Sequence, residues 1–275
     1  MIQDISPYRL DMAYRDTIPA PDDCFFSFRG EDVLLRDMED GRRSLPSFRD
    51  LGHPAGKMER RAVFLFRAGR EPVYLLGQEV SGCRRLGYFP VCELKGVLPE
   101  WVFFAGATAL HLSRWYEGNR YCGRCGGRME RKPGQRALAC PECGNTVYPG
   151  IAPVVMVAVT DGDRLLMTKY ADRSLPQWVL ISGFVEAGET LEEAAEREVY
   201  EETGIRIRDL RYFGSQPWGF SGSVIAGYTA RLDGPDGIRL DRKELAEAEW
   251  HPRTGLPDGL TDISIAYEMI EALRL

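Results

Sequence analysis

The sequence predicts an α+β protein with more than one domain, and three observations support this. The 275 residues exceed the size at which a single hydrophobic core usually stops growing. Short apolar runs between turns predict strands, whereas other segments repeat apolar residues at helical spacing. Four of the seven cysteines form two Cys-x2-Cys pairs. We therefore expect a small N-terminal α+β domain over residues 1–116, a zinc ribbon over 117–148 and a second α+β domain over 149–275.

Composition excludes several classes of protein. The chain is 44% hydrophobic and 28% charged, with a net charge of −6, which argues against a protein that depends on non-specific binding to nucleic acid. The longest apolar stretches, Trp101–Leu112 and Ala152–Thr160, are shorter than the ~20 residues that cross a bilayer. The first residues carry charges where a signal peptide has an apolar run. We expect a cytoplasmic protein without membrane association, and the odd number of cysteines agrees with reduced thiols.

Apolar periodicity places the individual elements. The predicted strands are Cys24–Phe28, Ala62–Phe66, Pro72–Leu76, Ala152–Thr160, Arg164–Lys169, Trp178–Ser182, Arg206–Phe213 and Ser223–Ala230. The predicted helices are Phe103–Tyr116, Leu191–Thr203 and Ile263–Leu275. Thr190 and Glu193 form a capping box for the second of these helices, and Gly204 is placed to end it.

The two cysteine pairs predict one structural zinc ion per chain. Each Cys-x2-Cys turn presents two thiolates, and two such turns complete a tetrahedron around Zn²⁺. The predicted ligands are Cys122, Cys125, Cys140 and Cys143. Residues Arg114–Arg136 contain seven basic residues and two glutamates. These basic residues either bind nucleic acid or offset the net −2 charge of a zinc tetrathiolate, and a solvated ribbon is the preferred interpretation.

The segment Leu191–Thr203 carries six glutamates and one arginine. Like charges four residues apart destabilise an isolated helix, so stability alone does not explain this composition. Glu198, Glu201 and Glu202, at spacing i, i+3 and i+4, share one helix face. Clustered carboxylates are hard oxygen ligands of the kind that bind Mg²⁺ or Mn²⁺.

This segment resembles the signature of the Nudix hydrolase family, G-x5-E-x7-R-E-U-x-E-E-x-G-U, at every position. The matching residues are Gly183, Glu189, Arg197, Glu198, Val199, Glu201, Glu202, Gly204 and Ile205. The resemblance implies a Nudix fold, in which a loop–helix–loop packs on a mixed β-sheet with flanking helices as an α/β/α sandwich. It also implies hydrolysis of a nucleoside diphosphate linked to another moiety.

The family resemblance further implies roles for individual residues. The expected catalytic residues are Glu189, Arg197, Glu198, Glu201 and Glu202. Glu198 and Glu202 would ligate Mg²⁺ or Mn²⁺, and Glu201 would be a ligand or a base. Arg197 would orient the carboxylates through Glu189. The backbone carbonyl of Ser182 and the carboxylate of the downstream Glu247 would complete the metal site.

A zinc ribbon before the signature, followed by Ser215–Trp218, resembles the NADH pyrophosphatase branch of the family. That branch reads SQPWPFPxS where this chain reads SQPWGFSGS, so Gly219 and Ser221 replace two prolines. We expect these replacements to loosen the loop. The branch implies a homodimer that cleaves NAD(H) to NMN(H) and AMP. The substrate-binding residues it implies are Tyr148, Phe184, Gln216, Pro217, Trp218, Gly219, Phe220, Ser221, Gly222, Ser223 and Ala266.

Other functions remain open at this point. A Nudix hydrolase acting on ADP-ribose or a dinucleoside polyphosphate would use the same residues. An enzyme that removes NAD caps from RNA would also use them, and its sequence support is the basic stretch Arg114–Arg136. A zinc-ribbon adaptor with an inactive signature is disfavoured, because every carboxylate of the signature is present.

Overall fold

The protein forms two compact units. Its structure, a computed structural model, describes residues 1–52, 61–83, 85–171, 177–257 and 262–275. The first unit contains Gln3–Gly150 and Gly219–Gly222. The second contains Met1–Ile2, Ile151–Trp218 and Ser223–Leu275. In the described part of the chain, no helix has the length and apolar character needed to cross a membrane.

Two small sheets occupy the N-terminal part of the first unit. Their strands are β1 (Leu10–Asp11), β2 (Cys24–Phe26), β3 (Phe28–Arg29), β4 (Asp32–Asp37), β5 (Arg43–Ser44), β6 (Val63–Ala68), β7 (Glu71–Leu75) and β8 (Leu86–Pro90). One sheet has the order β1-β6-β7-β2, and the other has the order β3-β4-β5 with β8 paired to β4. Phe25, Phe48 and Tyr74 are fully buried between them, with ring centroids 4.8 and 5.9 Å apart along the series. The predicted strands around residues 62–66 and 72–76 are confirmed as the β6–β7 hairpin.

One long helix and a small ribbon complete this unit. Helix α1 (Glu100–Gly118) begins after Pro99 and is longer at both ends than predicted. The ribbon strands are β9 (Glu130–Arg131), β10 (Leu138–Ala139) and β11 (Thr146–Val147), in the order β11-β10-β9. Trp115, near the end of α1, packs with Met129 and Leu138 of the ribbon in a small apolar cluster.

The second unit is built on a six-stranded mixed sheet. Its strands are β12 (Ala152–Asp161), β13 (Arg164–Tyr170), β14 (Ile181–Phe184), β15 (Ile207–Trp218), β16 (Ser223–Leu232) and β17 (Leu245–Pro252). The order is β15-β16-β12-β13-β17, with β14 also paired to β12. β12 and β16 are parallel, and the remaining neighbours are antiparallel. The helices are α2 (Leu191–Thr203) and α3 (Ile265–Leu273).

Alternation along β12 separates two apolar layers, because successive side chains in a strand point to opposite faces. The first layer joins β12 to α2 through Val155, Val157, Val159, Ala194, Ala195 and Val199. The second layer joins the sheet to α3 through Ala158, Leu165, Met167, Ile265 and Met269. The sheet therefore lies between two helices, which confirms the predicted α/β/α arrangement.

The structure corrects three details of the sequence analysis. The strand predicted at Trp178–Ser182 is displaced, since β14 begins at Ile181 and Val179 makes only an isolated bridge to Thr168. Strand β17 was not predicted, because its alanines and glutamates have low strand propensity and pairing with β13 stabilises it. The Ser215–Trp218 motif belongs to strand β15, so only residues 219–222 form the turn that follows.

Candidate active site and zinc ribbon

The first residue of the signature must be a glycine, because the side chain of another residue lies directly against its backbone. Gly183 lies in β14 opposite Val155, and the Glu198 side chain of α2 lies against it. A Cβ atom at Gly183 would come within 2.0 Å of the Glu198 carboxyl carbon. Any other residue would displace this carboxylate, so the strand and the helix together define the position of Glu198.

Arg197 is the hub of a hydrogen-bond network around the signature. Its guanidinium donates to both carboxylate oxygens of Glu189, at 2.6 and 2.8 Å, and to Glu198 Oε1 at 2.7 Å. It also donates to Glu201 Oε2 at 3.2 Å and to the carbonyl of Phe184 at 2.9 Å. The bidentate contact with Arg197 lowers the pKa of Glu189 to about 2. Arg197 thereby ties the loop before α2 to the helix.

Glu202 is a buried carboxylate without enough partners. It is only 2% exposed, and its Oε2 atom has no hydrogen-bond partner among the described residues. Burial, followed by the charges of Glu198 and Glu244, raises the pKa of Glu202 to about 8. Burial also raises the pKa of Glu198. A buried anionic oxygen without a donor costs folding free energy unless a cation neutralises it.

This arrangement suits a hard divalent cation. The available donors are carboxylate oxygens, which Mg²⁺ and Mn²⁺ prefer, and Glu202 Oε2 is a buried acceptor free to ligate one. Glu198 and Glu202 point from one helix face at the spacing i, i+4. Among the described residues, the carboxylate oxygens do not lie as close to one another as the four cysteine sulfurs do.

Two glutamates near the start of β17 differ in their surroundings. Glu247, predicted as a metal ligand, forms an ion pair with Lys169 Nζ at 3.0 Å, across from it in the β13–β17 ladder. Glu244, which sequence reasoning missed, contributes to the raised pKa of both Glu198 and Glu202. It precedes the strand, and no periodicity or spacing in the sequence distinguishes it from the other acidic residues nearby.

The four cysteines form a compact tetrad. Their Sγ atoms all lie within 4.8 Å of one another, with 3.6 Å between Cys122 and Cys143 and 3.5 Å between Cys125 and Cys140. Zn–S bonds of about 2.3 Å in a tetrahedron place sulfurs about 3.8 Å apart, so the geometry fits a zinc ion. Backbone N–H groups of Arg124 and Cys125 lower the pKa of Cys122 to about 6, which favours the thiolate.

The two cysteine turns share one backbone pattern. In the first turn, the N–H of Cys122 donates to the carbonyl of residue 127, and the N–H of residue 126 donates to the Cys122 carbonyl. In the second turn, Cys140 makes the equivalent bonds with Asn145 and Gly144. Each turn therefore presents its two sulfurs on one side of a tight loop.

The side chain of Gln216, which was predicted to bind substrate, forms hydrogen bonds within the protein. Its side chain is fully buried, and its amide nitrogen donates to the carbonyl of Ile263 at 2.6 Å. Its amide oxygen accepts from the N–H of Ile265 at 2.7 Å. Gln216 thus fastens the start of α3 to strand β15 and so positions the buried Ala266.

The other predicted substrate residues divide by exposure. Tyr148 and Phe184 are exposed aromatics, at 58% and 57%, and the Tyr148 hydroxyl donates to Gln135 Oε1 at 3.1 Å. Pro217 and Ser221 are also exposed. The half-buried members are Trp218, Gly219, Phe220 and Gly222, and Ser223 is buried.

The turn after β15 is tightly packed, so the expectation that Gly219 loosens it is wrong. A Cβ atom at Gly219 would lie 2.2 Å from the carbonyl oxygen of Ala107 in helix α1. The Phe220 ring packs on Phe103 at 5.9 Å, and the Phe220 carbonyl accepts from Arg114 at 2.5 Å. Glycine is present because the backbone approaches α1 too closely for a side chain, and a proline there would collide as well.

Gly219→Ala is expected to lower the free energy of unfolding by about 1–3 kcal/mol, as other overpacking substitutions do. Gly118→Ala is the matched control, since a Cβ atom at Gly118 meets nothing within 4 Å. Thermal or urea unfolding checks the prediction. If both variants unfold like the wild type, the close approach of residue 219 to α1 does not exist in solution.

Glu202→Gln is expected to stabilise the protein when no Mg²⁺ or Mn²⁺ is present. The folded-state pKa of Glu202 is raised to about 8 from 4.5, so between these values the folded state binds more protons than the unfolded state. Stability from this group is therefore lost as pH rises from about 4.5 to 8. The melting temperature of the variant should exceed that of the wild type by more at pH 8 than at pH 5. Equal differences at both pH values would show that Glu202 is not a buried, unneutralised acid.

Two families of known proteins match this chain. The family described as the NADH pyrophosphatase zinc ribbon domain matches residues 119–148, and the NUDIX domain family matches residues 150–273. A crystal structure of a NUDIX hydrolase from Nitrosomonas europaea aligns with a TM-score of 0.44 at 24% identity, over 50% of this chain and 80% of that one.

The curated relatives of this chain include proteins named NAD-capped RNA hydrolase NudC. The relative from Deinococcus radiodurans is 35% identical over 86% of this chain and 82% of its own length. The relative from Vibrio atlanticus is 37% identical over 63% of this chain and 64% of its own length, so the aligned part spans slightly less than two thirds of that protein. The resemblance seen in the sequence is confirmed: the chain belongs to the Nudix hydrolase family and carries the zinc ribbon domain of NADH pyrophosphatases.

Proposed function

We propose that this protein hydrolyses the pyrophosphate bond of NAD(H) to give NMN(H) and AMP. The observation that carries the proposal is the buried, unpaired Glu202 carboxylate beside Glu198, on the signature helix of a Nudix hydrolase. The zinc ribbon and the relatives named NAD-capped RNA hydrolase support a substrate that contains NAD. Removal of NAD caps from RNA is part of the same proposal, since it breaks the same bond.

The proposed catalytic site uses the carboxylates of α2. Glu198 and Glu202 would hold Mg²⁺ or Mn²⁺ together with the backbone carbonyl of Ser182. When bound, such ions neutralise a pyrophosphate and lower the pKa of a coordinated water. Arg197 keeps the Glu198 carboxylate against Gly183. Glu201 accepts a hydrogen bond from Arg197 at Oε2, and because its side chain is 60% exposed it would accept a proton at its other carboxylate oxygen.

A further carboxylate is proposed from the segment before β17. Glu247 was predicted for this role, but its carboxylate is already paired with Lys169. Glu244 is better supported, because its charge acts on both Glu198 and Glu202. We therefore propose Glu244 as the additional acidic group of the metal site, with Glu247 as the alternative.

The proposed substrate contacts are aromatic and backbone groups. Tyr148 and Phe184 present exposed rings suited to stacking on a nicotinamide or adenine ring. In the proposed homodimer, the tyrosine would come from the second subunit. The segment from Pro217 to Ser223 and the start of α3 at Ala266 are the other proposed contacts. Gln216 acts indirectly, by holding that helix start.

The same proposal includes the oligomeric state, the cellular location and the division of the chain into domains. The chain would act as a homodimer in the cytoplasm, a reducing compartment in which its seven cysteines would stay out of disulfides. Its functional division would be an N-terminal domain over residues 1–116, a ribbon over 117–148 and a catalytic domain over 149–275.

The proposal is tested by comparing kcat/KM for NADH, NAD⁺ and ADP-ribose with Mg²⁺ or Mn²⁺ present. NADH or NAD⁺ is expected to be the best substrate, with NMN(H) and AMP as products. Glu202→Gln should lower kcat by about 10²-fold or more, because an amide neither ligates a hard cation well nor accepts a proton. The control is Glu196→Gln, since Glu196 is an exposed glutamate of the same helix and should tolerate the change.

Two results would contradict the proposal. A preference for ADP-ribose over both dinucleotides would favour a Nudix hydrolase for other nucleoside diphosphates. A Glu202→Gln variant that retains more than about a tenth of the wild-type kcat would remove Glu202 from the catalytic site.

A further inference from the structure

The first unit contains a cavity that the proposed hydrolytic site does not use. Its volume is about 460 Å³, and it lies where the end of α1 meets the ribbon. The residues lining it that matter here are Tyr116, Asn119, Arg120, Tyr121, Arg128 and Met129. Two guanidinium groups and an exposed aromatic ring are therefore combined at one concave surface.

The placement of these side chains is defined by the backbone. Tyr121 and Arg128 form an isolated antiparallel bridge, so their side chains leave the same face of the ribbon. The Tyr121 ring is 68% exposed, although large aromatics usually bury most of their area. Arg120 has only a 3.9 Å contact with Glu117, and Arg128 makes no hydrogen bond or ion pair within the described residues.

Three of the five other basic residues of the Arg114–Arg136 stretch have structural partners. Arg114, Arg131 and Arg136 donate to the backbone carbonyls of Phe220, Ala62 and Leu65. Arg120 and Arg128 do not donate to the cysteine sulfurs either, so neutralisation of the zinc-bound thiolates does not explain these two charges. Among the described residues, the donors to these sulfurs are backbone N–H groups of the first cysteine turn and the side chain of Asn145. Within the described residues, the 3.9 Å contact of Arg120 with Glu117 is thus the one internal ion pair that these two arginines make.

We propose that this cavity binds the single-stranded RNA chain of an NAD-capped substrate. A base would stack on Tyr121, and backbone phosphates would pair with Arg120 and Arg128. An aromatic ring flanked by arginines is the combination by which proteins hold single-stranded nucleic acid without reading its sequence. A local cationic site also explains how a chain of net charge −6 can hold RNA. The inference rests on the proposed removal of NAD caps.

Binding is measured separately from hydrolysis, by fluorescence anisotropy with an uncapped single-stranded RNA of about ten nucleotides, within the range of known site sizes. Tyr121→Ala and the double variant Arg120→Ala/Arg128→Ala should each raise Kd about tenfold, the loss expected for one stacked base or two phosphate contacts. In the double variant, the slope of log K against log salt should become shallower by about 1.4, because each single-strand phosphate contact contributes about 0.7.

The matched control is Arg42→Ala/Arg49→Ala, which removes the same charge from exposed surface ion pairs elsewhere in the unit. It should bind RNA like the wild type. All variants should keep one zinc per chain and the wild-type kcat/KM for NADH, whereas KM for NAD-capped RNA should rise in the cavity variants alone.

The outcomes distinguish this inference from the proposed function. If the cavity variants bind RNA as the wild type does, or if the control variant loses as much affinity, the cavity is not an RNA site. If the wild type hydrolyses neither NADH nor NAD-capped RNA, the proposed function fails, and the anisotropy measurement still decides whether the cavity binds RNA.

Discussion

The second unit can fold only if the repulsion among the carboxylates of α2 is offset. Six glutamates share this helix with one arginine, and two of them, Glu198 and Glu202, are buried. Arg197 neutralises part of this charge and ties the helix to the preceding loop through Glu189. Glu202 has no counter-ion among the described residues, so a bound cation is expected to stabilise the fold when this carboxylate is ionised. Selection for stability alone would have removed such a group, so it points to function.

Features that depend on local sequence could be predicted, and α2 is the clearest case. Its bounds were predicted correctly, because Thr190 and Glu193 form the expected capping box and Gly204 adopts a left-handed conformation at the end. The cysteine tetrad was predicted for the same kind of reason, since its spacing is fixed by the metal. Both signals lie within a few residues along the chain.

Features that depend on distant contacts could not be predicted. Gln216 fastens residues 263 and 265, nearly fifty positions away, and nothing near it in the sequence indicates this. Gly219 is required by the carbonyl of Ala107, so its comparison with a proline in related sequences was misleading. Glu244 and Glu247 are equivalent in the sequence, and only the position of Lys169 in the neighbouring strand separates them. The local sequence pattern identified the carboxylates of the site. The tertiary structure showed which of them are paired with another side chain.

The central claim is that Glu198 and Glu202 form the divalent-cation site of this hydrolase. Direct titration with Mn²⁺, followed by calorimetry or by the loss of the free-ion electron paramagnetic resonance signal, tests it without reference to any substrate. Glu202→Gln should raise the Kd for Mn²⁺ by at least about tenfold, which is the lower end of the loss seen even for outer-shell partners of a metal. Glu196→Gln should leave the Kd unchanged. Equal Mn²⁺ affinity in the wild type and Glu202→Gln would contradict the account.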